Sequence, residues 1–178
     1  DFHGTMENYL EAKKRLFDNL KSTGVAITNI DDESGMSIVA NCPAKVVTYG
    51  IDHLADYQAS QVELFSDHCR FVLTHQGETY LVAANASGLF NVYNLLAVIA
   101  ACHVSGLTLP NIITQLAGLC LVKGRMQCIK GGQKFQVMVD FAHTPDGFDQ
   151  ILQHARRVVG DNQRIISVFG SAGNRDTK

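Results

Sequence analysis

The stretch Phe135-Gln136-Val137-Met138-Val139-Asp140-Phe141-Ala142-His143-Thr144-Pro145 decides the fold. Phe135, Val137, Val139 and Phe141 alternate with polar or outward positions, the period-two mark of a strand with one buried face. Thr144 is placed to cap a helix, and Pro145 to fill its first turn, where a missing N–H costs nothing. The helix that follows carries Phe148, Ile151, Leu152, Ala155, Val158 and Val159 on one stripe. Arg164 to Phe169 reads as a second strand. Strand, helix, strand predicts a parallel pair joined by a right-handed crossover, and so an α/β class.

In open α/β sheets, ligands bind outside the carboxyl ends of the strands. Asp140 and His143 leave the first strand at that end. An aspartate there can accept from ribose hydroxyls, and a histidine can touch phosphate. Equally, Asp140 and Thr144 can do no more than satisfy backbone groups at the turn. The second strand runs into Phe169-Gly170-Ser171-Ala172-Gly173-Asn174-Arg175-Asp176, a glycine-rich loop whose N–H groups can hold anions. Arg175 in it has the fork geometry that suits a carboxylate.

Working back along the chain, Arg125–Lys130, Gly131-Gly132 and Gln133–Phe141 read as a hairpin with a tight glycine turn. Pro110 to Ala117 and Leu89 to Val104 read as helices, the longer opened by Ser87-Gly88 and closed by Ser105-Gly106. Asn91 and Asn94 are three apart, so they share a face near its start. An amide both donates and accepts, which suits the edge of adenine, though the pair can also tie the helix start to a neighbouring loop. Gln61–Phe65, Arg70–His75 and Thr79–Ala83 alternate and predict a small antiparallel sheet. Lys45–Tyr49 and Val25–Ile30 read as strands, with a short helix over Glu33–Ala40 between them.

The first helix is predicted from Thr5, as cap, to about Ser22. Met6, Tyr9, Leu10, Leu16, Phe17 and Leu20 form its apolar stripe, and Lys13 falls in the middle of it. A lysine held against apolar surface is pushed towards its neutral amine, which can take up carbon dioxide and become a carboxylate-like metal ligand. The alternative is a stem lying on apolar surface with its head in water.

Bulk properties narrow the classes. The 178 residues are 46% hydrophobic with a net charge of −2, enough for a real core and without the basic excess of a nucleic-acid binder. No apolar run has membrane-spanning length and flanks, and no secretory signal is visible. Cys42, Cys69, Cys102, Cys120 and Cys128 form no CxxC pair and no zinc spacing, which fits reduced cysteines in a cytosol. His68-Cys69, in an alternating strand, reads as structural, and His53, His75, His103 and His154 show no convergent pattern.

The segment His3-Gly4-Thr5-Met6-Glu7-Asn8-Tyr9-Leu10-Glu11-Ala12-Lys13 resembles the one that carries the carbamylated lysine of the Mur ligases, in the branch that adds the third residue of the peptidoglycan stem peptide. Val139-Asp140-Phe141-Ala142-His143-Thr144-Pro145-Asp146 is similar to that branch's VDYAHTPD motif. Gly88-Leu89-Phe90-Asn91-Val92-Tyr93-Asn94 matches GxFNxxN, and Gly124-Arg125-Met126 resembles GRxE with Gln127 in place of the glutamate. Phe169–Asp176 resembles FGxGGDRD, departing from it at Ala172 and Asn174.

The resemblance covers the chain in one continuous order. It implies the back part of a central ATPase domain over residues 1–124, with a mainly parallel sheet plus a small antiparallel one. The hinge and first βαβ unit of a Rossmann-like C-terminal domain would follow over 125–178. It implies ATP and magnesium as cofactors, with UDP-MurNAc-L-Ala-D-Glu and an amino acid, L-lysine or meso-diaminopimelate, as substrates in a bacterial cytoplasm. Lys13 would be the catalytic carbamate on magnesium. Asn91, Asn94, Arg125, Asp140 and His143 would hold the nucleotide, and Arg175 the incoming amino acid's carboxylate. No GxxxxGK[ST] phosphate loop occurs in these residues. The chain is therefore expected to be a piece, inactive alone, with exposed sheet edges that favour self-association. The competing expectations are a folylpolyglutamate synthase-like ligase and a non-catalytic nucleotide- or partner-binding module.

Overall fold

The structure, a computed structural model, describes residues 3–118 and 122–170, the Asp146 side chain excepted. Helix α1 spans Met6–Asp18, with Thr5 as its cap accepting from the Asn8 N–H. It stops short of Ser22 because Asn19 turns back, its side-chain amide donating to the Arg15 carbonyl at 2.7 Å. Strands β1 (Val25–Asn29), β2 (Lys45–Gly50), β3 (Tyr57–Leu64), β4 (Cys69–His75) and β5 (Glu78–Ala84) form one sheet in that order. Strands β1, β2 and β3 are parallel, while β3, β4 and β5 are antiparallel. The antiparallel strands thus extend the parallel ones rather than standing apart. The β2–β3 ladder holds only Tyr49↔Tyr57 and Gly50↔Gln58, because residues 51–56 are too short to carry the chain back along β2.

The predicted helix over Glu33–Ala40 is reduced to a 3₁₀ turn at Ser37–Val39. Side chains before it commit the backbone elsewhere: Asn29 caps the Asp31 N–H at 3.0 Å and Asp32 caps the Ser34 N–H at 2.8 Å. Gly35 lies against the Asn29 carbonyl, where an added Cβ would meet that oxygen at 1.7 Å.

Helices α2 (Leu89–Val104) and α3 (Leu109–Leu116) cover one face of the sheet. Cys69, Phe71 and Leu73 of β4, Val82 of β5 and Leu96 and Ile99 of α2 are fully enclosed there. Each large apolar side chain so enclosed contributes roughly 1.5–3 kcal/mol.

The C-terminal part is sparser. The hairpin shrinks to β6 (Gln127–Cys128) and β7 (Met138–Val139), antiparallel, with the Ile129 N–H reaching the Val137 carbonyl at 2.9 Å. Helix α4 spans Pro145–Val159, between a Thr144 cap and Gly160 at φ 72°. The predicted strand Arg164–Phe169 forms no ladder. Ile166, Val168 and Phe169 are exposed, and Phe169 meets the Phe148 ring edge-on at 5.1 Å. A parallel pair needs both faces covered, and one helix over two short segments does not supply that. No helix among the described residues is long and apolar enough to cross a membrane.

Candidate functional site

The parallel strands β1 and β2 end side by side, and the turn after β1 is built around Asp31. Its Oδ2 accepts from the Ile51 N–H at 2.5 Å, the Asp52 N–H at 3.1 Å and the Tyr93 hydroxyl at 3.0 Å. Its Oδ1 accepts from the His53 N–H at 2.9 Å and faces His53 Nδ1 at 2.8 Å. Burial alone would raise its pKa, but the Ile51, Asp52, His53 and Tyr93 donors outweigh it and hold the carboxyl down at about 2. Asp31 is therefore a fixed anion joining the end of β1, the loop after β2 and α2. The Tyr93 hydroxyl is pushed well above its ordinary pKa, first by burial and then by Asp31 itself. The sequence reading assigned Asp31 no role; the visible signal was Asn29-Ile30-Asp31-Asp32 at the end of an apolar strand.

Two clefts flank this turn and share Asn29 and Asp32. The first, about 550 Å³, is lined by Glu7, Tyr9, Lys13, Phe17 and Thr28 among others. The second, about 460 Å³, lies between Tyr93 and Asn94 of α2 and Gln153, His154 and Arg157 of α4. Both lie at the carboxyl end of β1, and the second reaches Tyr49 of β2, on the side of an open α/β sheet where ligands bind.

Lys13 differs from its expected surroundings. It is exposed, and its ammonium sits 4.8 Å from the Tyr9 ring centroid rather than in an apolar pocket. The reason is that its stripe is largely open, with Met6 75% and Leu16 68% exposed. The half-buried lysine is Lys14, paired with Asp18 at 2.5 Å. Asn91 and Asn94 are brought together: Asn94 Nδ2 donates to Asn91 Oδ1 at 3.3 Å, and Asn91 Nδ2 to the Ser87 carbonyl at 2.6 Å. Asn91 thus ties the helix start, while Asn94 lines the second cleft.

Arg125, Asp140 and His143 group at the β6–β7 hairpin. Asp140 accepts from the Met126 N–H at 2.8 Å and the Ala142 N–H at 2.7 Å. The first bond secures Met126, fully buried and in the left-handed region at φ 46°. The Arg125 guanidinium lies 5.7 Å from the Phe141 ring, and His143, exposed, faces the Phe141 carbonyl at 3.1 Å. Gln127, where a glutamate was expected, accepts from the Gly124 N–H at 3.0 Å. Lys13, the asparagine pair and this hairpin group stand on three separate elements. Arg175 lies outside the described residues, as does most of its loop.

Two of the four histidines with no pattern in sequence come together in space. His75 stacks on Tyr57 at 4.1 Å, and His103 Nδ1 meets the Tyr57 hydroxyl at 2.8 Å, at the far end of α2. Burial, then the nearby His75, lowers the pKa of His103. His154 is buried against Ser87. Cys69 is inert in the core, its thiol pushed up to about 11 by burial, and His68 stacks on Phe65. No group of three or more His, Cys, Asp or Glu side chains among the described residues is arranged to hold a metal ion.

Known proteins share this fold. The Mur ligase middle domain matches residues 1–102, and the Mur ligase glutamate ligase domain matches residues 124–178. A UDP-N-acetylmuramoyl-L-alanyl-D-glutamate–2,6-diaminopimelate ligase of Parabacteroides distasonis is 37% identical over 99% of this chain and 35% of its own length. The corresponding protein of Halalkalibacterium halodurans is 39% identical, over 99% of this chain and 36% of its own. A solved structure of a ligase with the same name superposes with a TM-score of 0.74 at 34% identity, over 98% of this chain and 36% of that one. MurF from Thermotoga maritima, solved in complex with ADP, shares the fold at a TM-score of 0.74 and 18% identity, over 86% of this chain and 35% of its own. The chain spans about a third of the length of the curated relatives it matches. With more than half of its residues under the middle-domain match and the rest largely under the ligase-domain match, the chain belongs to the Mur ligase family.

Proposed function

We propose that this chain belongs to an ATP-dependent amide ligase that adds the third amino acid, L-lysine or meso-diaminopimelate, to UDP-MurNAc-L-Ala-D-Glu in peptidoglycan synthesis. The observation that carries the reading is the pair of adjoining clefts at the ends of β1 and β2, one lined by Lys13 and the other by Asn94. Full-length similarity of this chain to diaminopimelate-adding ligases supports the choice of branch. We place the division between the ATPase part and the ligase part at residues 124 and 125.

In this reading the γ-phosphoryl group of ATP passes to a carboxylate oxygen of the D-glutamate, ADP departs, and an acyl phosphate remains. The amine of the incoming amino acid attacks the acyl carbon, phosphate leaves, and the amine proton goes to solvent. Asn91 and Asn94 hold the adenine edge, Arg125, Asp140 and His143 the ribose and phosphate side, and Arg175 the amino acid's carboxylate.

Lys13, as the free amine, adds to carbon dioxide with loss of a proton. Its exposed position leaves the amine open to that reagent. A bound magnesium ion supplies charge neutralisation for the moving phosphoryl group. Magnesium is habitually held by one or two carboxylates together with phosphate oxygens and water. A Lys13 carbamate is the ligand this chain offers, and Glu7 and Asp32 line the same cleft.

The test is phosphate release by the product of the complete reading frame encoding this chain. It would be given ATP, magnesium, UDP-MurNAc-L-Ala-D-Glu and either L-lysine or meso-diaminopimelate. Release that depends on one of the two amino acids is expected. A folded protein that releases phosphate with neither contradicts the reading.

A further inference from the structure

Helix α4 buries His154 to 3% exposure, although it stands in an otherwise half-exposed element. Its Nε2 lies 2.8 Å from the Ser87 hydroxyl. That hydroxyl donates its only hydrogen to the Phe65 carbonyl at 2.5 Å, so its oxygen is left to accept from the imidazole. The ring therefore carries a hydrogen on Nε2. Its Nδ1 is buried without a partner among the described residues. Protonating that nitrogen creates a buried cation with nothing to accept from it, and burial, then Arg157, lowers the His154 pKa below the ordinary 6.5.

The link continues into α2. The Ser87 carbonyl accepts from Asn91 Nδ2 at 2.6 Å, and Asn91 Oδ1 accepts from Asn94 Nδ2 at 3.3 Å. A continuous path thus runs from a helix of the ligase part to both amides of the proposed nucleotide site. The bond from His154 to Ser87 spans 67 positions of sequence, whereas the Ser87–Asn91 and Asn91–Asn94 bonds are local to the start of α2.

We propose that His154 is a positioning residue that couples the docking of α4 to the orientation of Asn91 and Asn94. The proposal rests on the nucleotide reading of those two amides. The charged and titratable groups that line the cleft with His154 are Arg157 on its own helix and Asp31, Asp32, Tyr49 and Tyr93 across from it. Because the docked ring binds its proton less readily than a free one, docking is complete above about pH 6.5 and weakens as pH falls below that value.

The experiment is nuclear magnetic resonance of the whole chain from about pH 8 to about pH 5, following the His154 ring nitrogens and the Asn91 and Asn94 side-chain amides. His154→Gln keeps a donor at the Nε2 position, His154→Leu removes it, and Ser87→Ala breaks the link from the other side. In the unaltered chain the asparagine signals should move with the His154 midpoint, below pH 6.5. In His154→Gln they should stay at their high-pH positions throughout. In His154→Leu and Ser87→Ala they should be displaced at every pH. Asparagine signals that ignore the His154 titration, or a midpoint at or above 6.5, overturn the proposal.

Titrating ADP into the product of the complete reading frame, carrying the same variants, separates the proposal from the reading beneath it. Binding about tenfold weaker in His154→Leu than in His154→Gln is expected, the order of one lost hydrogen bond. A chain that shows the coupled titration yet binds no ADP keeps the positioning role and overturns the nucleotide assignment.

Discussion

Residues 25–116 and residues 124–170 use the same parts, apolar strands and amphipathic helices, with opposite results. In the first region Phe71, Leu73, Val82, Leu96 and Ile99 are enclosed between a five-stranded sheet and two helices. In the second, Met126 and His154 are the only buried side chains among the described residues, while Phe135, Phe141, Ile166, Val168 and Phe169 stand exposed. A strand is stabilised by what lies on its faces and not by its own alternation. The two regions also hold the same polar device, an aspartate accepting from backbone N–H groups at a strand end. Asp31 has it inside a packed turn and Asp140 at the edge of a two-residue ladder.

Mutations can break or sharpen this contrast. Phe71→Ala should cost about 3–5 kcal/mol in urea unfolding of the chain, most of the stability of a small domain. A loss below about 1 kcal/mol would show that the sheet core does not hold the first region together. Asp31→Ala should cost about 2 kcal/mol at neutral pH, by removing an anion whose pKa is shifted from 3.8 to about 2. The sign follows from the lowered pKa: the contribution is complete above 3.8 and is lost as pH falls from there through about 2. An Asp31→Asn variant should therefore lack that segment of the acid-unfolding curve. Asp140→Ala should cost about 1 kcal/mol, seen as faster hydrogen exchange at Met126 and Ala142 and not as global unfolding. Val168→Ala, at a side chain 94% exposed, should change stability by less than about 0.5 kcal/mol.

What was legible in the sequence follows the same division. The limits of α2 were readable because an apolar run was closed at both ends by Ser-Gly. Thr144-Pro145 likewise marked the start of α4. Strand β3 was read from Gln61 but starts at Tyr57. Gln61, at φ 50°, sits at a register shift between Ser60 and Glu63, so the alternation breaks in mid-strand and only its second half was periodic. Arg164–Phe169 had the right pattern, but a pattern carries no partner.

Among site residues, Asn91, Asn94, Arg125 and Asp140 were singled out from the residues and their motifs, and the structure gives each a defined hydrogen-bond or ring contact. Asp31 and His154 were not singled out. The partners of Asp31 lie 20–22 and 62 positions away along the chain and that of His154 lies 67 away, and no periodicity records such a contact. Lys13 was placed on its stripe correctly, but the stripe is not covered, so the desolvation inferred from position does not arise from the helix itself.

The central claim is that Lys13 serves as a carbamate in a ligase, and its most direct test is Lys13→Ala in the phosphate-release assay with and without added short carboxylates. The account predicts loss of amino-acid-dependent release and its partial recovery by the carboxylate, which restores the missing oxygen ligand. Full activity in Lys13→Ala, or a loss in a folded variant that no carboxylate repairs, would contradict it.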